Sequence, residues 1–128
     1  MNINNILYKK TLSQSFKVSS EKMNEQNVLS ICSLLNAITT INDEIIIGLS
    51  GCLDFSKISI EHFSLDVVSN ASLNDIVTLK SYIDVFTEDK IRVRIVGVKN
   101  AGTKETVLLN GAFSFSMQNA LKLDFSLS

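Results

Sequence analysis

The chain has 128 residues and a mass of 14.1 kDa, the size of one domain around one core. Hydrophobic residues make up 45% and charged residues 20%, which excludes a disordered chain. Twelve Lys and Arg against 13 Asp and Glu leave a net charge of -1, without the basic excess that a dedicated nucleic-acid binder needs to neutralise phosphates.

Met1 to Lys10 shows no apolar run between a basic start and a small-residue cleavage site, so no secretory signal is read there. The most apolar stretch, Ile45 to Leu53, is interrupted by Gly48, Ser50 and Gly51 and is too short to span a bilayer. Cys32 and Cys52 are read as reduced, buried thiols of a cytoplasmic protein, and a single His leaves a four-ligand structural zinc site incomplete. Proline is absent, so the turns fall to Asn, Asp, Ser and Gly, as at Leu73-Asn74-Asp75 and Asn100-Ala101-Gly102.

In chain order, Tyr8 to Val18 alternates, with Tyr8, Leu12, Phe16 and Val18 apart from the polar residues between them, which predicts a half-buried strand. Ser19 to Asn27 reads as a loop, with Ser20 to Met23 or Asn27 as helix starts. Ile31 to Leu49 is the predicted helix: Leu34, Ile38, Ile41, Ile45 and Leu49 recur at helical spacing. Leu35, Ile46 and Ile47 widen that apolar stripe, so the helix is expected to be surrounded by protein, with Gly51 as its C-cap. Four strands follow. Lys57 to Val68 carries a bulge near His62; Asp75 to Phe86 turns Val77, Leu79, Ile83 and Val85 to one face. Lys90 to Val98 sets Ile91, Val93 and Ile95 against Arg92 and Arg94, and Thr106 to Met117 turns Val107, Leu109, Phe113, Phe115 and Met117 inward. The connections are short, so these strands are expected to be antiparallel neighbours.

Strand, long helix, then four strands defines an α+β architecture over residues 1–128 as a single domain. A curved antiparallel sheet of about five strands would wrap a central helix. Such a sheet still needs a partner at its edges, which predicts a homodimer or a higher assembly of dimers.

This order resembles the hotdog fold, and the stretch from Ser59 to Met117 resembles its acyl-CoA thioesterase branch. Ser59 to Asn70 stands where that branch carries a strand of the TxxVDxixFLRP kind, and Asn74-Asp75-Ile76-Val77-Thr78-Leu79 is similar to its GDxVxL stretch. Ala112-Phe113-Ser114-Phe115 resembles its closing strand, and Ile41-Asn42-Asp43-Glu44 resembles its WMDE helix motif. Asn27 would stand for the family's upstream Asn, while Leu35-Asn36 stands where the family carries a Gly pair. Those glycines let a thioester carbonyl approach helix N–H groups, so Leu35 departs from the pattern at a point that bears on catalysis.

Asn36, Thr39, Thr40 and Asp43 fall within about a quarter of the helix circumference at 100° per residue. A polar stripe on an apolar helix meets water, a partner chain or a ligand. The resemblance implies an acyl-CoA or other acyl thioester as the ligand, at a subunit interface, with coenzyme A entering only as part of the substrate. Asp43 would be general base or nucleophile, Asn36 or Asn27 would orient substrate or water, and Thr39 and Thr40 would line the site. Helix-start N–H groups would hold the oxyanion. Arg92 and Arg94 suit the phosphates of coenzyme A, although such a row is more often the solvated face of an amphipathic strand. His62, alone in the chain, has no nucleophile-elbow sequence to serve, and no phosphate-cradling Gly-rich loop occurs. No metal or separate cofactor is expected. The other reading, which the missing Gly pair favours, is a catalytically silent hotdog protein that binds an acyl ligand or serves as an assembly subunit.

Overall fold

The computed structural model of the chain describes residues 11–48 and 54–117. Strand β1 (Thr11–Lys17) alternates as its sequence predicts: Leu12, Gln14 and Phe16 are half-buried and the residues between them exposed. A single 3-10 turn at Ser20–Lys22 follows, and helix α1 runs over Ile31–Ile47. Neither expected helix start is used. The N-cap is Ser30, whose hydroxyl accepts the Ser33 N–H at 3.1 Å. Asn27 sits at φ 62°, a left-handed conformation that breaks a helix and that Asn tolerates. The helix stops at Ile47 with Gly48 as its cap; Leu49 and Gly51 lie outside the described residues.

Strands β2 (Ser59–Val67), β3 (Ile76–Phe86), β4 (Lys90–Ala101) and β5 (Lys104–Ser116) join β1 in one antiparallel sheet of order β1-β3-β4-β5-β2. The helix packs across one face of this curved sheet. Consecutive strands are neighbours from β3 to β5, but β2 and β3 are not, which corrects the expectation from short connections. After β2 the chain turns away at Val68 and Ser69, whose N–H groups both donate to the Leu108 carbonyl. It then crosses to β3 past the buried Ala71, whose carbonyl accepts the Leu29 N–H at 2.7 Å. Backbone satisfaction in that crossing thus comes from a strand and a loop remote in sequence.

The helix contributes Leu34, Ile38, Ile41 and Ile45 to the core, the stripe read from spacing. The sheet answers with Val77, Leu79, Ile83, Ile91, Val93, Ile95, Leu109, Phe113 and Met117. Each such side chain stabilises the fold by about 1.5–3 kcal/mol when fully buried, which offsets the modest helix propensity of the β-branched residues in α1. At Gly97 the inner face has no room for a side chain: a Cβ would lie 2.9 Å from Leu109 Cγ and 3.1 Å from Leu79 Cδ2.

Three irregularities reset the strict alternation. One falls between Ile60 and His62, where the sequence places it. A second, between Ile83 and Val85, makes Asp84 the extra residue, so Phe86 is buried in place of the expected Val85. The third, opposite Gly97 and Val98, buries both Leu108 and Leu109 and leaves the expected Val107 exposed. Two further expectations are corrected. Within this chain α1 buries one face only, because a single sheet can cover one side of a helix. Cys32 stands on its uncovered side and is exposed rather than buried; Cys52 lies outside the described residues.

Candidate active site

Helix azimuth divides the polar residues of α1. The core stripe points to the sheet, and Asn36, Thr39, Thr40 and Asp43 point the opposite way, all exposed. On one flank of the helix a groove of about 540 Å³ opens between α1 and the β2–β5 side of the sheet. Its helix wall is Thr39, Asn42, Asp43, Ile46 and Ile47; its sheet wall is Ile58, Ser59, Ile60, Phe113 and Phe115. The groove is therefore an apolar trough with a carboxylate, a carboxamide and two hydroxyls along it. Apolar lining with a few convergent polar groups is the usual make-up of a small-molecule site.

Asp43 enters from the helix wall, and its carboxylate makes no ion pair or hydrogen bond with any described residue. Asn42 beside it is buried, only 6% exposed, and its Oδ1 has no hydrogen-bond partner among the described residues. Sequence reasoning passed over Asn42 because it reads as part of the Asp43 motif. The signal was its azimuth, about 40° from Ile38 at 100° per residue, which sets an amide among apolar groups. The remaining walls, Ile58, Ile60, Phe113 and Phe115, were read only as strand positions.

The expected site residues do not all converge. Thr39 and Asp43 share the groove. Asn36 and Thr40 instead line a smaller recess on the β1 flank with Phe16, Lys22, Ser33 and Ala37, and the Thr40 hydroxyl donates to the Asn36 carbonyl at 3.0 Å. Asn36 and Asp43 are two turns apart, about 10.5 Å along the axis, too far to hold one water between them. Asn27 is an exposed loop residue whose N–H donates to the Asn24 carbonyl, and it lines neither cavity. The helix start lies twelve residues before Asp43, about 18 Å away, so its N–H groups cannot act on the same carbonyl as Asp43 within one chain.

Arg92 and Arg94 stand apart from the groove. They alternate with the core residues Ile91, Val93 and Ile95, and so lie on the outer face, with the sheet between them and the groove. There the bulged Asp84 accepts hydrogen bonds from Arg92 Nε and Nη2, each at 2.9 Å, and from Arg94 Nε at 2.6 Å. Burial alone would raise the Asp84 pKa; the hydrogen bonds and charges of the two guanidinium groups outweigh it and hold the carboxyl below its ordinary value. The same contact raises the Arg92 pKa. The pair is thus committed to an acidic residue of its own sheet.

Among the described residues, no group of three His, Cys, Asp or Glu is placed to hold a metal ion. Also among them, no helix is long and apolar enough to cross a membrane.

Comparison with solved structures completes the picture. Over 91% of this chain and 95% of the other, the fold superimposes on 4-hydroxybenzoyl CoA thioesterase from Pseudomonas sp. strain CBS-3 with a TM-score of 0.72 at 10% identity. A hypothetical thioesterase from Streptococcus pneumoniae, solved with coenzyme A, matches over 86% of this chain and 82% of that one, with a TM-score of 0.71 at 14% identity. An acyl-CoA hydrolase from Staphylococcus aureus, in complex with butyryl coenzyme A, matches over 84% of this chain and 65% of that one, with a TM-score of 0.71 at 12% identity. No protein-family model and no curated protein matches the chain. The chain has the hotdog fold, and it is a sequence-divergent example of it.

Proposed function

We propose that this chain is an acyl-CoA thioesterase-like protein that binds an acyl thioester along the α1 groove and hydrolyses it beside Asp43, with the site completed at the interface of a homodimer. The observation that carries this reading is the unpaired Asp43 carboxylate in the wall of an otherwise apolar groove. Such a trough takes up an acyl group, and the carboxylate stands where a thioester carbonyl can meet it. Asp43 would accept a proton from water as the water oxygen adds to the carbonyl carbon. The C–S bond then breaks, the coenzyme A sulfur takes up that proton, and a carboxylic acid is released. Thr39, beside Asp43, would position the thioester. Helix-start N–H groups would reach this carbonyl only from a second copy, which is one reason for placing the site between subunits.

The fold supports the substrate class, since solved proteins that share it include a 4-hydroxybenzoyl CoA thioesterase and an acyl-CoA hydrolase in complex with butyryl coenzyme A. A second reading rests on a specific observation: Leu35-Asn36 stands where the family carries its Gly pair, and Leu35 is half-buried on the helix. That favours an acyl binder without turnover.

A hydrolysis screen over acyl-CoA chain lengths, with thiol release as the readout, separates the two. Turnover that falls by about 10²–10⁴-fold in Asp43→Ala supports hydrolysis at this carboxylate. Turnover untouched by that change removes Asp43 from the mechanism. Saturable binding of acyl-CoA without thiol release establishes the silent binder instead.

A further inference from the structure

Among the described residues, Asn42 Oδ1 and Ser81 Oγ are buried without a hydrogen-bond partner. Ser81 lies within β3 and lines neither the groove nor the recess on the β1 flank. Asn42 does line the groove. A polar atom left unpaired there costs stability, and the helix itself has no use for it. An apolar residue at position 42 would simply widen the stripe of Ile38, Ile41 and Ile45, and the WMDE motif that Ile41-Asn42-Asp43-Glu44 resembles carries Met there. A group kept at a cost to stability, and aimed into a cavity, points to a ligand.

Depth orders the groove's polar residues. Of the helix residues in its wall, Asn42 alone is buried; Thr39, Asp43 and Ile47 are exposed and Ile46 is half-buried. Asn42 lies about 100° round the helix from Asp43 and is turned toward the sheet. A thioester whose carbonyl meets Asp43 therefore runs its acyl chain inward past Asn42, while the charged coenzyme A stays on the open side.

We infer that the Asn42 carboxamide holds a hydroxyl carried by the acyl chain a few bonds from the thioester, so that the groove selects hydroxyacyl over plain acyl thioesters. The inference rests on the reading of the groove as an acyl-thioester site and adds the class of acyl group that it takes.

The choice of a hydroxyl follows from the carboxamide. A half-turn about its Cβ–Cγ bond exchanges Oδ1 with Nδ2, so the groove meets an acceptor or a donor. A hydroxyl both donates and accepts, and pairs with either; a keto or ether oxygen pairs only with the N–H group. The energetics favour the same group. Asn42 is already out of water before the ligand arrives, so the new hydrogen bond does not have to offset its desolvation. A plain acyl chain leaves the carboxamide as it is, unpaired. Discrimination by a missing hydrogen bond to a buried polar group exceeds that from a methylene in an apolar pocket.

Equilibrium binding and thiol release with butyryl-CoA and hexanoyl-CoA, each beside its 3-hydroxy and 4-hydroxy derivative, test the inference. The native chain is expected to bind one of the hydroxylated esters about tenfold more tightly than the plain ester of the same length. Asn42→Leu and Asn42→Met are expected to remove that preference while still binding the plain esters. The preference is a ratio within one protein, so a change in packing or in the folded fraction moves both members alike, and urea unfolding verifies that each variant folds. Equal affinity of the native chain for plain and hydroxylated esters overturns the inference and leaves the acyl-thioester reading standing. A preference that persists in both variants assigns the hydroxyl to another residue and also overturns it. Binding of none of these esters overturns the inference together with the reading on which it rests.

Discussion

Phe63 stacks on Phe113 with ring centroids 5.3 Å apart and ring planes 9° from parallel, yet the two rings live in different surroundings. They face each other across the β2–β5 ladder, where Phe113 is 6% exposed beneath α1 and Phe63 is 56% exposed at the edge. One contact therefore joins the core to an uncovered surface. The substitutions should separate accordingly. Phe113→Ala is expected to cost about 3–5 kcal/mol, because it empties core volume. Phe63→Ala loses chiefly the ring contact, about 0.5–1.5 kcal/mol. Urea unfolding at low protein concentration, where association does not contribute, measures both, and equal losses would contradict the assignment.

Asn42 gives a prediction of opposite sign. Its buried Oδ1 lacks a partner among the described residues, and an unmade hydrogen bond at such a site costs about 1–3 kcal/mol. Leucine has the same branched outline and no polar atom, and the groove beside Asn42 leaves room for its larger methyl groups. Asn42→Leu is expected to raise the stability of the chain by about 1 kcal/mol and to leave α1 intact. Chemical denaturation checks the gain, and a loss would mean that the carboxamide is satisfied in solution.

The Asp84 cluster predicts a pH dependence whose sign follows from linkage. Arg92 and Arg94 depress the folded-state pKa of Asp84. A depressed carboxylate contributes stability that is present above its unfolded value, about 4, and that disappears as pH falls through the lower folded value. Against Asp84→Asn, the native chain is expected to be more stable at neutral pH, with the gap closing below about pH 4. Urea midpoints of both proteins across that range test it. A gap independent of pH would mean that shape and not charge holds the cluster.

Much of this architecture was legible in the chain itself. The spacing of Leu34, Ile38, Ile41 and Ile45 specifies one face of a helix, and the alternation of Ile91, Val93 and Ile95 specifies one face of a strand. Both periods are local geometry, so neighbouring residues carry them. The order of elements, with motif likenesses at Asp43 and along the last strands, sufficed for the hotdog fold.

Tertiary structure alone decided the rest. Strand order put β2 beside β5 and left its apolar edge open, because pairing depends on hydrogen-bond partners far apart in sequence. Single-residue bulges exchanged Val85 for Phe86 and turned Val107 outward, since one extra residue reverses every side chain beyond it. The same dependence on remote partners set Arg92 and Arg94 behind the sheet, beside Asp84. Periodicity tells which way a side chain points; only the packed chain fixes what lies there to meet it.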